Sequence, residues 1–171
     1  MSTKKAITFH PLDDDELMAA AGRMLVRHSN LDYQLKMTIR KLADVTPDEA
    51  RKAFARTNSS ELRKLVNTHA KRVLGNGSPE LIKLQALLRE CEDATEQRNE
   101  YVHVIWATEF GGEKHHLFGP DGKLKPFPTT GSLKKLDKEI ARLVKALGDA
   151  SQHFLHQAMQ KKGTLKATDE S

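Results

Sequence analysis

From Leu17 the apolar positions recur as Leu17, Ala21, Met24, His28, Leu31, Leu35, Thr38/Ile39 and Leu42, alternating steps of three and four along one face of a long helix. The acidic run Asp13-Asp14-Asp15-Glu16 opens it. Negative charge in a first turn meets orphan amides and the positive end of the macrodipole, which explains the run without a carboxylate metal cluster. Pro47 disfavours helical geometry in the residue before it, so the helix should stop near Val45. Thr46-Pro47-Asp48-Glu49 starts a short helix over about 47–56, and Asn58-Ser59-Ser60-Glu61 starts a third with the seam Leu62, Leu65, Val66, His69 and Val73. Gly75-Asn76-Gly77 ends that one and Ser78-Pro79 opens the next.

The fourth helix carries Leu81, Leu84, Leu88, Cys91, Thr95, Arg98, Val102 and Ile105 on one stripe. Residues 107–131 break the periodicity. Gly111-Gly112, Gly119-Pro120-Asp121-Gly122 and Pro126-Phe127-Pro128 punctuate two strand-like pieces, 107–110 and 115–118, which predicts a small hairpin or an ordered loop, the hairpin favoured. Ser132 is the expected cap of a last long helix with Leu133, Leu136, Ile140, Val144, Leu147, Phe154 and Ala158 inward, ending towards Gly163. The predicted class is all-α: an antiparallel bundle of about five helices with an irregular or small-hairpin insert at 107–131. Residues 1–11 read as an N-terminal arm, 12–162 as a single domain and 163–171 as a disordered tail.

Composition narrows this only a little. With 38% hydrophobic, 30% charged and 5% aromatic residues, the chain suits a water-soluble bundle cored by Leu, Ile, Val, Ala and Met. No apolar run approaches the roughly 20 residues needed to span a bilayer, and the first residues lack a signal-peptide hydrophobic region, so the expectation is a cytoplasmic protein without membrane partners. Cys91 alone excludes an intrachain disulfide and a two-cysteine metal knuckle. The 28 basic and 23 acidic residues give +5, a mild excess that permits nucleic-acid contact without demanding it.

The candidate chemistry sits where the longest amphipathic run closes, Gln97 to Trp106. Arg98 lies within an apolar stripe. A charge there must meet a carboxylate, a phosphate, or water in a cleft or subunit interface, so an internal or intersubunit salt bridge stands beside anion binding by the guanidinium fork. His103 and Asn99 share the flank of the stripe at i, i+4. An imidazole that titrates near neutrality, set beside an Arg and an amide, can act on a phosphodiester: the imidazole moves a proton and the guanidinium steadies developing charge. In a regular helix Arg98 and His103 point about 140° apart, so either the helix loosens near His103 or two copies meet across a dimer axis. His28 and His69 lie on apolar seams and read as hydrogen-bonded core or interface histidines. His115-His116, on a strand, point to opposite faces, a poor metal geometry. Arg51, Lys52, Arg56, Arg63, Lys64, Lys71 and Arg72 read as solvated helix faces that could also touch phosphates.

Arg98-Asn99-Glu100-Tyr101-Val102-His103 resembles the Arg-Asn-x-x-x-His signature of HEPN domains, helical bundles found in prokaryotic defence systems and some eukaryotic RNases. The organisation agrees over roughly 13–160: a long first helix, the motif late in a core helix, Val104-Ile105-Trp106 after it, an irregular insert and a final helix. The resemblance implies a homodimer that cleaves RNA without metal or other cofactor, both motifs lining a shared cleft. Carried over, Arg98 would bind and stabilise the scissile phosphate, His103 would be the acid/base, and Asn99 would orient or contact the phosphate. The alternative within the family is a non-catalytic module binding RNA, a nucleotide or a protein. Toxin–antitoxin and defence settings bring in a protein antitoxin or a nucleotidyltransferase partner. One branch carries a modified Tyr two residues after the His; here that position is Ile105, so that regulation is not implied.

Overall fold

The computed structural model describes the backbone of residues 7–8, 14–109 and 115–168, and side chains within 14–108 and 115–153. Five helices carry the fold: α1 (Asp15–Ala43), α2 (Pro47–Phe54), α3 (Ser59–Leu74), α4 (Pro79–Val102) and α5 (Thr130–Thr168). Strands β1 (Ile7–Thr8), β2 (Ile105–Glu109), β3 (His115–Phe118) and β4 (Leu124–Pro126) form one antiparallel sheet in the order β1-β2-β3-β4. The protein is an all-α bundle with a small sheet inserted before its last helix.

The helix starts follow their capping chemistry. Asp14 accepts from the Leu17 amide, Asn58 from that of Glu61 and Ser78 from that of Leu81, while Thr46 and Glu49 close a reciprocal capping box. Asp13 lies outside the described residues. For α5 the cap is Thr129, whose Oγ1 accepts from the Ser132 amide at 3.0 Å, and not Ser132 itself. Pro128 holds Thr129 next to the helix start, and the helix gains its first turn by beginning at Thr130.

The core is the expected set. Every seam position of α1 is buried, and Leu62, Val66, Leu81, Leu84, Leu88, Cys91, Leu133, Leu136, Ile140 and Leu147 meet it from α3, α4 and α5. Leu65, Val73 and Val144 are half-buried at its edge, and the side chains of Phe154 and Ala158 lie outside the described residues. Along α1 and α5 the partners advance together, Glu16 with Lys134, Arg27 with Asp137 and Lys41 with Ser151. These two helices therefore run in the same direction, where an antiparallel arrangement was expected. The long route through three helices and a sheet removes the short-loop constraint that forces neighbours to oppose.

Three boundaries differ from the sequence pattern. The stripe of α4 counts on to Ile105, yet the helix stops at Val102 and Ile105 begins β2. Residues 104–106, Val-Ile-Trp, are β-branched and aromatic and fit a pleated strand better than a further helical turn. The 107–131 segment holds a three-stranded meander where at most a hairpin was expected; Phe110 and Gly111-Gly112 fall outside the described residues. Its second connection turns at Gly122, whose φ of 73° suits a residue without Cβ. At the termini, Ile7–Thr8 of the expected arm pair with Glu109 and Thr108, and α5 passes through Gly163 to Thr168, into what was read as a tail.

Trp106 fastens the sheet to the bundle. Its Nε1 donates to the Tyr101 carbonyl at 2.9 Å, satisfying an orphan acceptor at the end of α4, and its ring meets Phe127 edge-on at 4.9 Å. Tyr101, Trp106 and Phe127 all pack onto the core. The motif thus ends at a fixed helix-to-strand corner.

Candidate functional site: a polar network around Arg98

Arg98 enters the bundle interior from α4 and meets α1. Its Nη2 lies 3.1 Å from Nδ1 of His28, which is 1% exposed. An arginine only donates, so Nδ1 must be the bare nitrogen and the proton of His28 sits on Nε2. Nε2 in turn lies 3.1 Å from Thr95 Oγ1, which passes its own proton to the Cys91 carbonyl at 2.7 Å. Thr95 also accepts from Arg63 Nη1 at 3.5 Å, and Arg63 Nη2 pairs with Glu92 at 2.9 Å. On the α1 side, Asp32 Oδ2 stands 3.7 Å from His28 Nδ1 while its Oδ1 takes the Ser59 hydroxyl proton at 2.6 Å. Three helices, α1, α3 and α4, therefore share one chain of hydrogen bonds running from Arg98 through His28, Thr95 and Arg63 to Glu92, with the Asp32–Ser59 pair standing beside it.

His28 is neutral within it. Burial lowers its pKa first, and the Arg98 and Arg63 guanidiniums lower it further against the opposing pull of Asp32. At 3.7 Å Asp32 makes an ion pair only with a protonated ring, and the two guanidiniums outweigh it. A pH dependence follows. The unfolded chain takes up this proton near 6.5, whereas the folded chain resists it, so stability from the neutral ring is complete above about pH 6.5 and falls as the pH drops below it. The melting temperature should decline on acidification from pH 7.5 towards 5, and His28→Gln should flatten that decline. The half-buried His69 shifts in the same direction through its own burial and Arg72, and leaves a residual slope in the variant.

Arg98 has no carboxylate within 4.0 Å among the described residues, so the internal salt bridge expected of a seam arginine is not what holds it. Its Nε is buried with no hydrogen-bond partner among the described residues. The guanidinium is oriented by a neutral ring, with the Asp32 carboxylate near it but not in direct contact.

His103 stands elsewhere. It is the C-cap of α4, with φ −96° and ψ 29°, its amide reaching the Asn99 carbonyl at 3.3 Å and its side chain exposed. The helix loosens at this residue, one of the two ways foreseen for relaxing the 140° divergence. Asn99 is half-buried on the turn before. Within one chain no hydrogen bond joins Arg98, Asn99 and His103 through their side chains among the described residues. Comparison with family models, curated proteins and solved structures returns no match.

Several members of the network escaped the sequence reading, Arg63, Asp32 and Glu92 among them. Arg63 was counted with the solvated basic residues, yet it is 8% exposed. Its signal was present: Arg63, Val66 and Ala70 stand at i, i+3 and i+7, the geometry that singled out Arg98. Asp32 carried no such signal. The remaining candidates stay apart from the network. His69 is half-buried on α3, and His115 is exposed and bonds Thr108 at 3.0 Å. Burial pushes the Cys91 thiol up to about 12, which leaves no thiolate for chemistry. No group of three or more His, Cys, Asp or Glu able to hold a metal occurs among the described residues, and no helix there is long and apolar enough to cross a membrane.

Proposed function

We propose that the chain is an HEPN-like RNA-acting domain, a homodimeric endoribonuclease that works without metal, in which Arg98 binds the scissile phosphate, Asn99 orients it and His103 moves the proton. The observation that carries this reading is the state of Arg98: a guanidinium reaching into a bundle, aligned by a neutral histidine, with a buried Nε that nothing among the described residues satisfies. A phosphate oxygen is the acceptor such a fork suits. His103 is exposed at the end of the same helix, beside Val102 and Ile105, apolar side chains that are 37% and 49% exposed. Two copies meeting on that apolar border would bring two imidazoles to one cleft.

The reaction balances with these groups alone. The ribose 2′-oxygen attacks phosphorus and loses its proton to one imidazole; the bond from phosphorus to the 5′-oxygen breaks, and a second, protonated imidazole supplies the proton that oxygen needs. Arg98 stabilises the added charge on the non-bridging oxygens. The products are a 2′,3′-cyclic phosphate and a 5′-hydroxyl. Cleavage of single-stranded RNA should therefore persist in EDTA, leave the cyclic end, and fail on a 2′-deoxy substrate, as read by gel and mass spectrometry. RNA that is bound but never cut, with binding weakened by Arg98→Ala, would instead identify a non-catalytic binding module. The same reading carries a cytoplasmic defence or toxin–antitoxin setting, with an antitoxin or nucleotidyltransferase as protein partner.

A further inference from the structure

Beside the Arg98 network, α3 and α4 part to leave a cleft of about 400 Å³ whose lining includes Arg63, Lys64, Asn67, Gln85, Arg89 and Glu92. Three cations face a single carboxylate. Glu92 is committed to Arg63, and the exposed Lys64 and Arg89 have no ion-pair partner among the described residues. On the same wall the Gln85 amide donates to Asn67 Oδ1 at 2.9 Å. Whichever way the two amides are turned, that bond leaves one NH₂ group and one carbonyl free, a donor and an acceptor side by side. A wall with unpaired cations and an adjacent donor–acceptor pair matches a nucleotide, with phosphate on the cations and a base edge on the amides. The volume falls in the range of ordinary small-ligand sites.

We infer that this α3–α4 cleft binds the strand of single-stranded RNA next to the scissile phosphate, Lys64 and Arg89 holding backbone phosphates and Asn67 with Gln85 reading a base. This rests on the reading of Arg98 as a phosphate ligand. The two sites share a wire: Arg63 lines the cleft and bonds Thr95, Thr95 takes the Nε2 proton of His28, and His28 aligns Arg98. An acidic protein segment could meet the cations and the amide pair too, but the hydrogen bonds that join this cleft to Arg98, the phosphate ligand, favour RNA as the occupant.

The test is equilibrium binding of a short, labelled, 2′-O-methylated single-stranded RNA, which cannot be cleaved, to the full chain over a range of salt. Lys64→Ala/Arg89→Ala alters only exposed side chains and should fold normally. It should weaken binding about tenfold or more and lower the salt slope by roughly one to one and a half, as expected for two lost phosphate contacts. Lys135→Ala/Lys138→Ala, exposed on α5, is the control and should change neither quantity. Asn67→Ala/Gln85→Ala should erase base preference while keeping most of the affinity. An unchanged affinity and salt slope in the Lys64/Arg89 variant would overturn the inference, as would equal loss in the control, no RNA binding by the unaltered chain, or displacement of RNA by polyglutamate at lower concentration than by unlabelled RNA. The two readings can fail separately: cleft-dependent binding without cleavage keeps the cleft and removes catalysis, whereas cleavage with cleft-independent binding does the reverse.

Discussion

Arg98→Ala and His103→Ala should each slow RNA cleavage by about 10²-fold or more, the usual scale for losing one oxyanion contact or one acid/base. The two should differ in everything else. His103 is exposed and its amide bond to Asn99 survives truncation, so His103→Ala should melt with the parent protein and bind RNA as well as it does. Arg98→Ala strands the bare Nδ1 of His28 and should lower both stability and RNA affinity. Arg98→Lys separates charge from geometry, because an ammonium restores the charge but not the fork, and it should recover binding more than rate. Asn99→Ala should lose less than either if it only orients the phosphate. Single-turnover cleavage with melting curves on the same preparations measures all of this. Unchanged rates in both the Arg98 and His103 variants would remove the catalytic reading.

How far the sequence disclosed this site depends on the kind of information each residue carries. Arg98 was conspicuous because a periodic apolar stripe makes a charge anomalous, and α4 does bury the positions before it. His28 was equally visible as a polar residue on the seam of α1. That the two are partners was not visible, since a contact across 70 residues of chain leaves no local trace. The neutral state of His28 depends first on burial and then on three charged neighbours drawn from α1, α3 and α4, and is a property of packing alone. The end of α4 was misread for a local reason. Val102 and Ile105 continue the helical count, but Val102, Val104, Ile105 and Trp106 also favour a strand, and the bond from Trp106 to the Tyr101 carbonyl decides for the corner. That corner is what leaves His103 exposed.

Burying a network with a guanidinium at one end and another guanidinium at the other has consequences for stability. Replacing His28 by Leu keeps comparable bulk but removes the only acceptor that Arg98 has among the described residues, adding a stranded Nη2 to an Nε that already has no partner there. It also takes one donor from Thr95. Leaving buried polar groups unpaired costs about 1–3 kcal/mol, more for a charged one, so His28→Leu should destabilise by about 2–3 kcal/mol. For a domain of this size that is a fall of roughly 4–12 °C in melting temperature. Arg98→Met should cost less, because the ring it abandons is neutral and loses only one bond. The double variant His28→Leu/Arg98→Met puts two apolar side chains face to face and should be more stable than the sum of the single losses, by a coupling of about 0.5–3 kcal/mol. It should also have lost most of the acid sensitivity between pH 7.5 and 5. Strictly additive losses in urea and thermal unfolding would mean that His28 does not hold Arg98 in solution, and the alignment of the guanidinium would need another cause.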